Sequence, residues 1–404
     1  MISKLSTLIR QFGEPSALID HRENSDNRFA IWGFEETIYL QNGKCYLNDE
    51  VIAGNPLVLL QKQFDKWKTI GNNVWGVGFF SYDFKQSLFP HRHFKQNQNN
   101  IPDFWFAKPK IIKQYRELDI TTSKTKISLI SDIPNKAVYL KDISIIKNYL
   151  EDGDVYQINY THPKRFKTDS NPLDLYASIA KSAKPLFGYF INTSNFQVLS
   201  FSPERFYRVD KNIIDTFPIK GTRPRGENQL EDEQLILELS KSEKDRAEHL
   251  MIVDLLRNDV GKICNYGTVE VKDLYKVCSF ETVHHMVTQV LGNLMGSVAE
   301  TDIIKAMFPG GSITGAPKER AMEIIDEIEN YNRGIYTGAI GYFKGDDYQD
   351  FNIAIRTMIL QNNNATYPVG GGIVWDSNSD NEWEEAHQKG VILNQIIDKN
   401  YQLK

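Results

Sequence analysis

Cysteine is scarce in this chain: Cys45, Cys264 and Cys278 are the only three in 404 residues. An odd number without metal-site spacing argues against a disulfide scaffold and a cysteine-rich zinc site, and fits small core residues in a reducing compartment. Long apolar runs are missing too; none approaches the roughly 18 residues of a membrane span. The N-terminal stretch from Met1 to Glu14 carries Lys4 and Arg10 and no apolar core of the kind a secretory leader needs. Charge of one sign is not in excess. There are 47 Lys and Arg against 52 Asp and Glu, a formal net charge of -5, and no basic stripe. Nucleic acid is therefore not an expected partner. No internal repeat and no low-complexity tract interrupts the chain. What remains is a globular protein expected in the cytoplasm, large enough for two average domains or one two-layer unit.

The texture changes near residue 135. Residues 1–135 read as a strand-rich N-terminal region, with short strands such as those around Phe29 to Gly33, Val74 to Tyr82 and Ile127 to Ile130. Pro90 to Pro102 reads as a loop. Residues 136–404 carry helices and strands in blocks. Helices are expected over Lys141–Glu151, from Ser242 to about Asn258 with Gly261 just past its end, from near Pro317, and from about Asn381 to Asp398. Strands are expected over Val155–Tyr160, Leu186–Asn192, Gln197–Phe201, Thr337–Phe343 and Phe351–Leu360. This grouping predicts an α+β fold rather than a doubly wound sheet.

The most informative segment is the loop Pro218-Ile219-Lys220-Gly221-Thr222-Arg223-Pro224-Arg225-Gly226. Its prolines stiffen the backbone, its glycines permit close bends, and its arginines offer forked donors for carboxylates. A lysine so held is a candidate nucleophile if its amine is partly deprotonated. Alone, the segment is equally a basic surface turn. Glu204 ends a strand in Phe201-Ser-Pro-Glu204; burial there would suit it to general-acid work, though most strand-end glutamates are solvated.

Three further clusters bear on chemistry. Asp245 to Asp259 sets Glu248, His249 and Asp254 among bulky residues, with Leu250, Val253 and Leu256 on one face. Those polar groups need partners or a metal, or else mark a salt-bridged amphipathic helix. The glycine-rich run Pro309 to Lys318 leads into a helix and offers backbone N–H groups to an anion. Ala316-Pro317 replaces the Lys-Ser/Thr pair of a phosphate loop, which excludes ATP and GTP and leaves a carboxylate. Gly370, Gly371 and Gly372 let a ligand approach the backbone, and Glu382 and Glu385 share a helix face. With Glu248 they would form an oxygen site suited to Mg2+; the alternative is the preference of an opening helical turn for acids. His285, alone on an apolar stretch, reads as a satisfied core histidine unless other groups join it.

Taken in order, these clusters resemble the chorismate-utilising family: anthranilate synthase component I, aminodeoxychorismate synthase component I, and the isochorismate and salicylate synthases. The resemblance covers roughly residues 140–400 and implies a large β-sheet sandwich core with peripheral helices, the N-terminal region being part of one interlocked unit. It implies that Lys220 selects the aminodeoxychorismate branch, since anthranilate synthases carry Ala there. Gln157 stands where the isochorismate and salicylate enzymes carry a water-activating lysine. The implied reaction joins chorismate and ammonia into 4-amino-4-deoxychorismate for 4-aminobenzoate and folate synthesis, through a covalent lysine intermediate. Anthranilate synthase component I is the alternative. By the same resemblance Lys220 is the nucleophile, Glu204 the acid and His285 an orienting group. Thr222, Tyr336, Arg356 and Gly370 to Gly372 contact substrate. Glu248 and Glu385, with Glu382 nearby, hold Mg2+. Desolvation, with Arg223 and Arg225 nearby, is expected to depress the lysine. None of the cysteines has the Gly-flanked setting of a class I glutaminase, so a separate glutamine amidotransferase subunit is the implied partner.

Overall fold

The computed structural model describes residues 2–23, 27–68, 73–120, 122, 123, 125–132, 134–281 and 283–397. Its strand ladders are antiparallel and join into one continuous sheet. One arm runs from Gln157–Lys167 through Asn364–Ile373, Thr357–Gln361, Gln197–Ser202 and Phe187–Asn192 to Ala17–His21 and Arg28–Gln41. The other continues through Phe104–Gln114, Val74–Phe80, Ala339–Lys344, Tyr348–Ile353, Arg205–Asp210 and Ile213–Thr216 to Val283–Asn293. Ile219–Pro224 and Glu270–Ser279 flank that last strand. Strands from before and after residue 135 are thus neighbours in the same sheet.

The period-2 alternation of strands decides what lies between the arms. Ile19, Phe79, Ile191, Val198, Ile340 and Ile359 pack together from both arms. The opposite face of the first arm packs Leu18, Phe190 and Met358 against the helices Leu5–Phe12 and Pro172–Ala183. The opposite face of the second arm packs Phe80, Phe106 and Phe343 against Pro56–Trp67. The result is a sheet sandwich with peripheral helices. No helix among the described residues is long and apolar enough to cross a membrane.

Two stretches pass from one arm to the other. Gln197–Ser202 belongs to the first arm and Arg205–Asp210 to the second. Tyr348–Ile353 belongs to the second and Thr357–Gln361 to the first. The expected single strand Phe351–Leu360 is therefore two strands, broken at Ala354, Ile355 and Arg356, where Arg356 takes a left-handed φ of 49°. Other limits differ as well. The helix Lys136–Glu151 begins earlier than expected because Asn135 caps it. The strand Gln157–Lys167 runs past Tyr160 because the whole of Asn364–Ile373 pairs with it. Gly261 is the last residue of Glu243–Gly261, inside the helix rather than beyond it. The final helix, Ser379–Gln388, stops ten residues short of the expected end, ahead of Gly390 and the short turn Val391–Leu393; Asp398 lies outside the described residues. The N-terminal region also holds more helix and longer strands than expected, notably Pro56–Trp67 and Arg28–Gln41.

Candidate active site

Lys220 lies on the edge strand Ile219–Pro224 rather than in a loop. Pairing with Val283–Asn293 slips between Lys220 and Thr222. Gly221 sits in that slip with a φ of 70°. This is a glycine bulge, which re-aims the neighbouring side chain. A Cβ on Gly221 would come within 2.7 Å of Leu239, so the position excludes larger residues by conformation and by space. The half-buried lysine reaches the far end of the sheet, where its Nζ donates to Gln157 Oε1 at 3.2 Å. A Cβ on Gly372 would lie 3.4 Å from the same Nζ.

Burial drives the Lys220 pKa down, and the positive charge of Lys389 adds to the shift; Glu248, Glu204 and Glu385 pull against it. The expected contribution of Arg223 and Arg225 is corrected by their partners. Arg223 is bound to Glu238 at 2.8 Å and Asp245 at 3.1 Å. Arg225 forms a forked pair with Asp232 at 2.8 and 2.7 Å. Both arginines serve the protein's own carboxylates.

Glu204 occupies one junction between the arms and is 9% exposed. Its backbone carbonyl accepts from the Ile353 N–H at 3.0 Å, which ties it to the second junction. Ser312 Oγ donates to its carboxylate at 3.1 Å. Burial pushes its pKa up to about 7, against that hydrogen bond and the charge of Lys220. Ser312 is what the glycine-rich run brings to the site. Lys318 of that run is committed to Asp259 Oδ2 at 2.7 Å and the Met307 carbonyl at 3.0 Å, so it offers no charge to a ligand carboxylate.

The acidic wall comes from two helices. Ser242 caps Glu243–Gly261, which carries Glu248; Asn378 caps Ser379–Gln388, which carries Glu382 and Glu385. Burial raises the Glu248 and Glu382 pKa values, and the negative charge of Glu385 adds to both. Burial also acts on Glu385, but Lys389, 2.8 Å away, together with Lys220 and Lys244 outweighs it, so that carboxyl stays below its usual range. Lys389 donates in addition to the Gly370 carbonyl at 2.7 Å. A Cβ on Gly371 would lie 3.5 Å from Glu382 Oε2, so the glycines form the floor beneath the carboxylates. On the same wall, His249 is buried and bonded to Thr288 Oγ1 at 2.7 Å; burial lowers its pKa to about 4. Asp254, expected among bulky residues, and Leu250, expected on one face with the buried Val253 and Leu256, instead face solvent, Asp254 pairing with Arg257.

Among the described residues no three His, Cys, Asp or Glu side chains are gathered tightly enough to hold an ion by themselves. Mg2+ commonly takes only one or two carboxylates and completes its shell with waters and substrate oxygens. Glu248, Glu382 and Glu385 offer the carboxylate oxygens that a hard divalent cation takes, with Lys220, Lys244 and Lys389 as the cations now acting on them.

Thr222 and His285 face each other in register and bond at 3.0 Å through Nδ1. Burial lowers the His285 pKa, with nearby Arg356 adding to the effect. Arg356, at the second junction, and buried Tyr336 both act electrostatically on Tyr367. Lys389 and Ser312 were not anticipated as site residues. The signal for Lys389 was its place one turn after Glu385, the favoured Glu-to-Lys order on a helix; Ser312 lay unremarked within the glycine-rich run.

Residues 113–394 match the chorismate binding enzyme family. The chain is 42% identical over 325 residues to the probable chloroplastic aminodeoxychorismate synthase of Oryza sativa subsp. japonica, a match covering 75% of this chain and 36% of that protein. It therefore spans little more than a third of the rice relative's length. It is 36% identical over 336 residues to anthranilate synthase component 1 of Saccharolobus solfataricus, covering 80% of each. The crystal structure of anthranilate synthase component I from Streptococcus pneumoniae TIGR4 superposes with a TM-score of 0.76 at 28% identity, covering 89% of this chain and 90% of that one.

Proposed function

We propose that this chain, which belongs to the chorismate binding enzyme family, aminates chorismate at C4 and gives 4-amino-4-deoxychorismate with its enolpyruvyl group retained. One observation carries the reading: a desolvated lysine amine lies within electrostatic reach of a protonatable carboxyl, Glu204, and of the carboxylates Glu248 and Glu385. An anthranilate synthase would need a small residue at position 220.

Lys220 adds through its neutral amine at C2 of the ring. The ring double bonds shift, and the C4 hydroxyl leaves as water with a proton from Glu204. Ammonia adds at C4, the double bonds shift back, Lys220 departs with its electron pair as the neutral amine, and the surplus proton of the new C4 ammonium returns to Glu204. Arg356 takes a substrate carboxylate, while Tyr336, Thr222 and the Gly370 to Gly372 floor orient the ring. His285, kept neutral, orients Thr222. Glu248 and Glu385, with Glu382 close by, would hold Mg2+, which supplies positive charge to the ring carboxylate.

Ammonia is mostly protonated at neutral pH, so a glutamine amidotransferase subunit is the proposed source. The test is incubation with chorismate, Mg2+ and ammonium salt at high pH, with products separated by mass. Aminodeoxychorismate is expected, and with glutamine only after a glutaminase subunit is added. Anthranilate plus pyruvate as sole products would transfer the chain to the other branch.

A further inference from the structure

Three walls of the site are joined by one buried ion pair that has no part in the chemistry above. Glu329 and Arg333 have side chains 2% and 1% exposed. A guanidinium carries five N–H donors, and each of these five has a partner. Nε and Nη2 grip the Glu329 carboxylate at 2.8 and 2.7 Å. Nη2 also donates to the Asn159 carbonyl at 2.6 Å. Nη1 donates to the Ile313 carbonyl at 3.0 Å and to Thr337 Oγ1 at 3.2 Å. Glu329 accepts in turn from the Thr161 N–H and hydroxyl, both at 2.8 Å.

Every one of these partners adjoins a site residue. Asn159 and Thr161 lie opposite Gly372 and Gly370 in the sheet. Ile313 follows Ser312, whose hydroxyl holds Glu204. Thr337 follows Tyr336. Neutralising Glu329 needs only two of the five donors; the other three go to three separate chain segments. Net stability is a weak reason for such a pair, since apolar residues of equal volume often serve as well.

We propose that Arg333, locked by Glu329, is a positioning residue that holds the glycine strand, the Ser312–Glu204 hydrogen bond and the Tyr336 turn in one mutual geometry. This rests on the reading of the site as a chorismate-aminating centre.

Arg333→Lys tests it, because a lone ammonium keeps the charge but cannot span the planar fork. The folded variant is expected to lose tenfold or more in kcat with a smaller change in KM for chorismate. Its alkaline limb, measured at constant free ammonia, is expected to move up by half a pH unit or more as Ser312 releases Glu204. Ser312→Ala alone should reproduce that movement. A folded Arg333→Lys protein with wild-type kcat and an unmoved limb would overturn the proposal. If Arg333→Lys does not fold, Glu329→Gln decides by the same readouts, since it removes one charge and no volume. The Glu204 titration is also followed without turnover, from its protonated carboxyl stretch in infrared difference spectra against Glu204→Gln. An inactive wild type would count against the proposed function, while the infrared titration would still judge Arg333.

Discussion

A single carboxyl illustrates how burial is converted into chemistry. Glu204 has an ordinary pKa near 4.5 when unfolded and about 7 in the folded chain, with burial as the main cause. The folded state therefore holds this proton more tightly. Its contribution to stability is fully present below pH 4.5 and is lost as pH rises through 7. An ionised Glu204 at pH 8.5 costs roughly 3 kcal/mol by this shift. Glu204→Gln should thus lower turnover on the order of 10²- to 10⁴-fold, yet melt higher than wild type at pH 8.5 and alike at pH 4.5. Equal melting differences at both pH values would remove Glu204 from the role of buried acid. The same scale governs Lys220. Its replacement by Ala should sharply reduce amination at C4 and divert some turnover toward anthranilate, seen by product mass; an unchanged rate of aminodeoxychorismate formation would sink the nucleophile. In the sequence each residue was only a candidate, Lys220 by its Pro- and Gly-bounded segment and Glu204 by its strand end, and the roles proposed for them came from the family resemblance. Sequence alone misjudged Arg223 and Arg225, whose carboxylate partners Glu238, Asp245 and Asp232 lie on helical turns that come next to them only after folding.

At the level of elements, one helix start was readable and most other limits were not. Ser242 caps the helix that carries Glu248, as its Ser-Glu-Lys-Asp spacing suggests, whereas the caps Asn135 and Asn378 start their helices ahead of the expected positions. Strand length is set by the partner instead. Gln157–Lys167 extends well beyond Tyr160 because the distant run Asn364–Ile373 offers it a full ladder. The split at Arg356 was likewise invisible, since it follows from the chain changing arms and not from a glycine or proline. The glycine floor is the element most open to test. Gly372 needs no left-handed backbone, so Ala should fold there. Its methyl, however, would crowd Gln157 at 3.2 Å and Lys220 Nζ at 3.4 Å. Gly372→Ala is expected to keep the wild-type melting temperature within a few degrees and to raise KM for chorismate severalfold in steady-state assays. Unaltered kinetics would show that the lysine and the ligand do not share that space.

Across the whole molecule, the site exists only because one sheet returns upon itself. Lys220 arrives from one end of the sheet, Gln157 and the glycines from the other, and the carboxylates from helices that are far apart in sequence. The order of motifs could be read along the chain and suggested that Glu248 meets Glu382 and Glu385; the contacts of Lys220 with Gln157 and of Ser312 with Glu204 could not be read, because loop-closing contacts leave no local trace. Convergence is what a shared cation would exploit. Glu248 and Glu385 act on one another electrostatically, and Lys220, Lys244 and Lys389 are the cations among them. If both carboxylates serve one ion, then Glu248→Gln and Glu385→Gln should each weaken Mg2+ binding, seen in calorimetric titration as well as in a raised Mg2+ requirement for turnover. A neutral amide keeps the shape and one oxygen but not the charge that a hard cation demands. Without metal, melting at neutral pH should fall modestly for Glu385→Gln, which loses the half-exposed pair with Lys389 that holds this carboxyl below its usual range. It should rise for Glu248→Gln, because a partly buried carboxylate with a raised pKa is costly when ionised. A variant that kept both the wild-type titration curve and the wild-type metal-free melting temperature would return that glutamate to the ordinary acidic face of its helix.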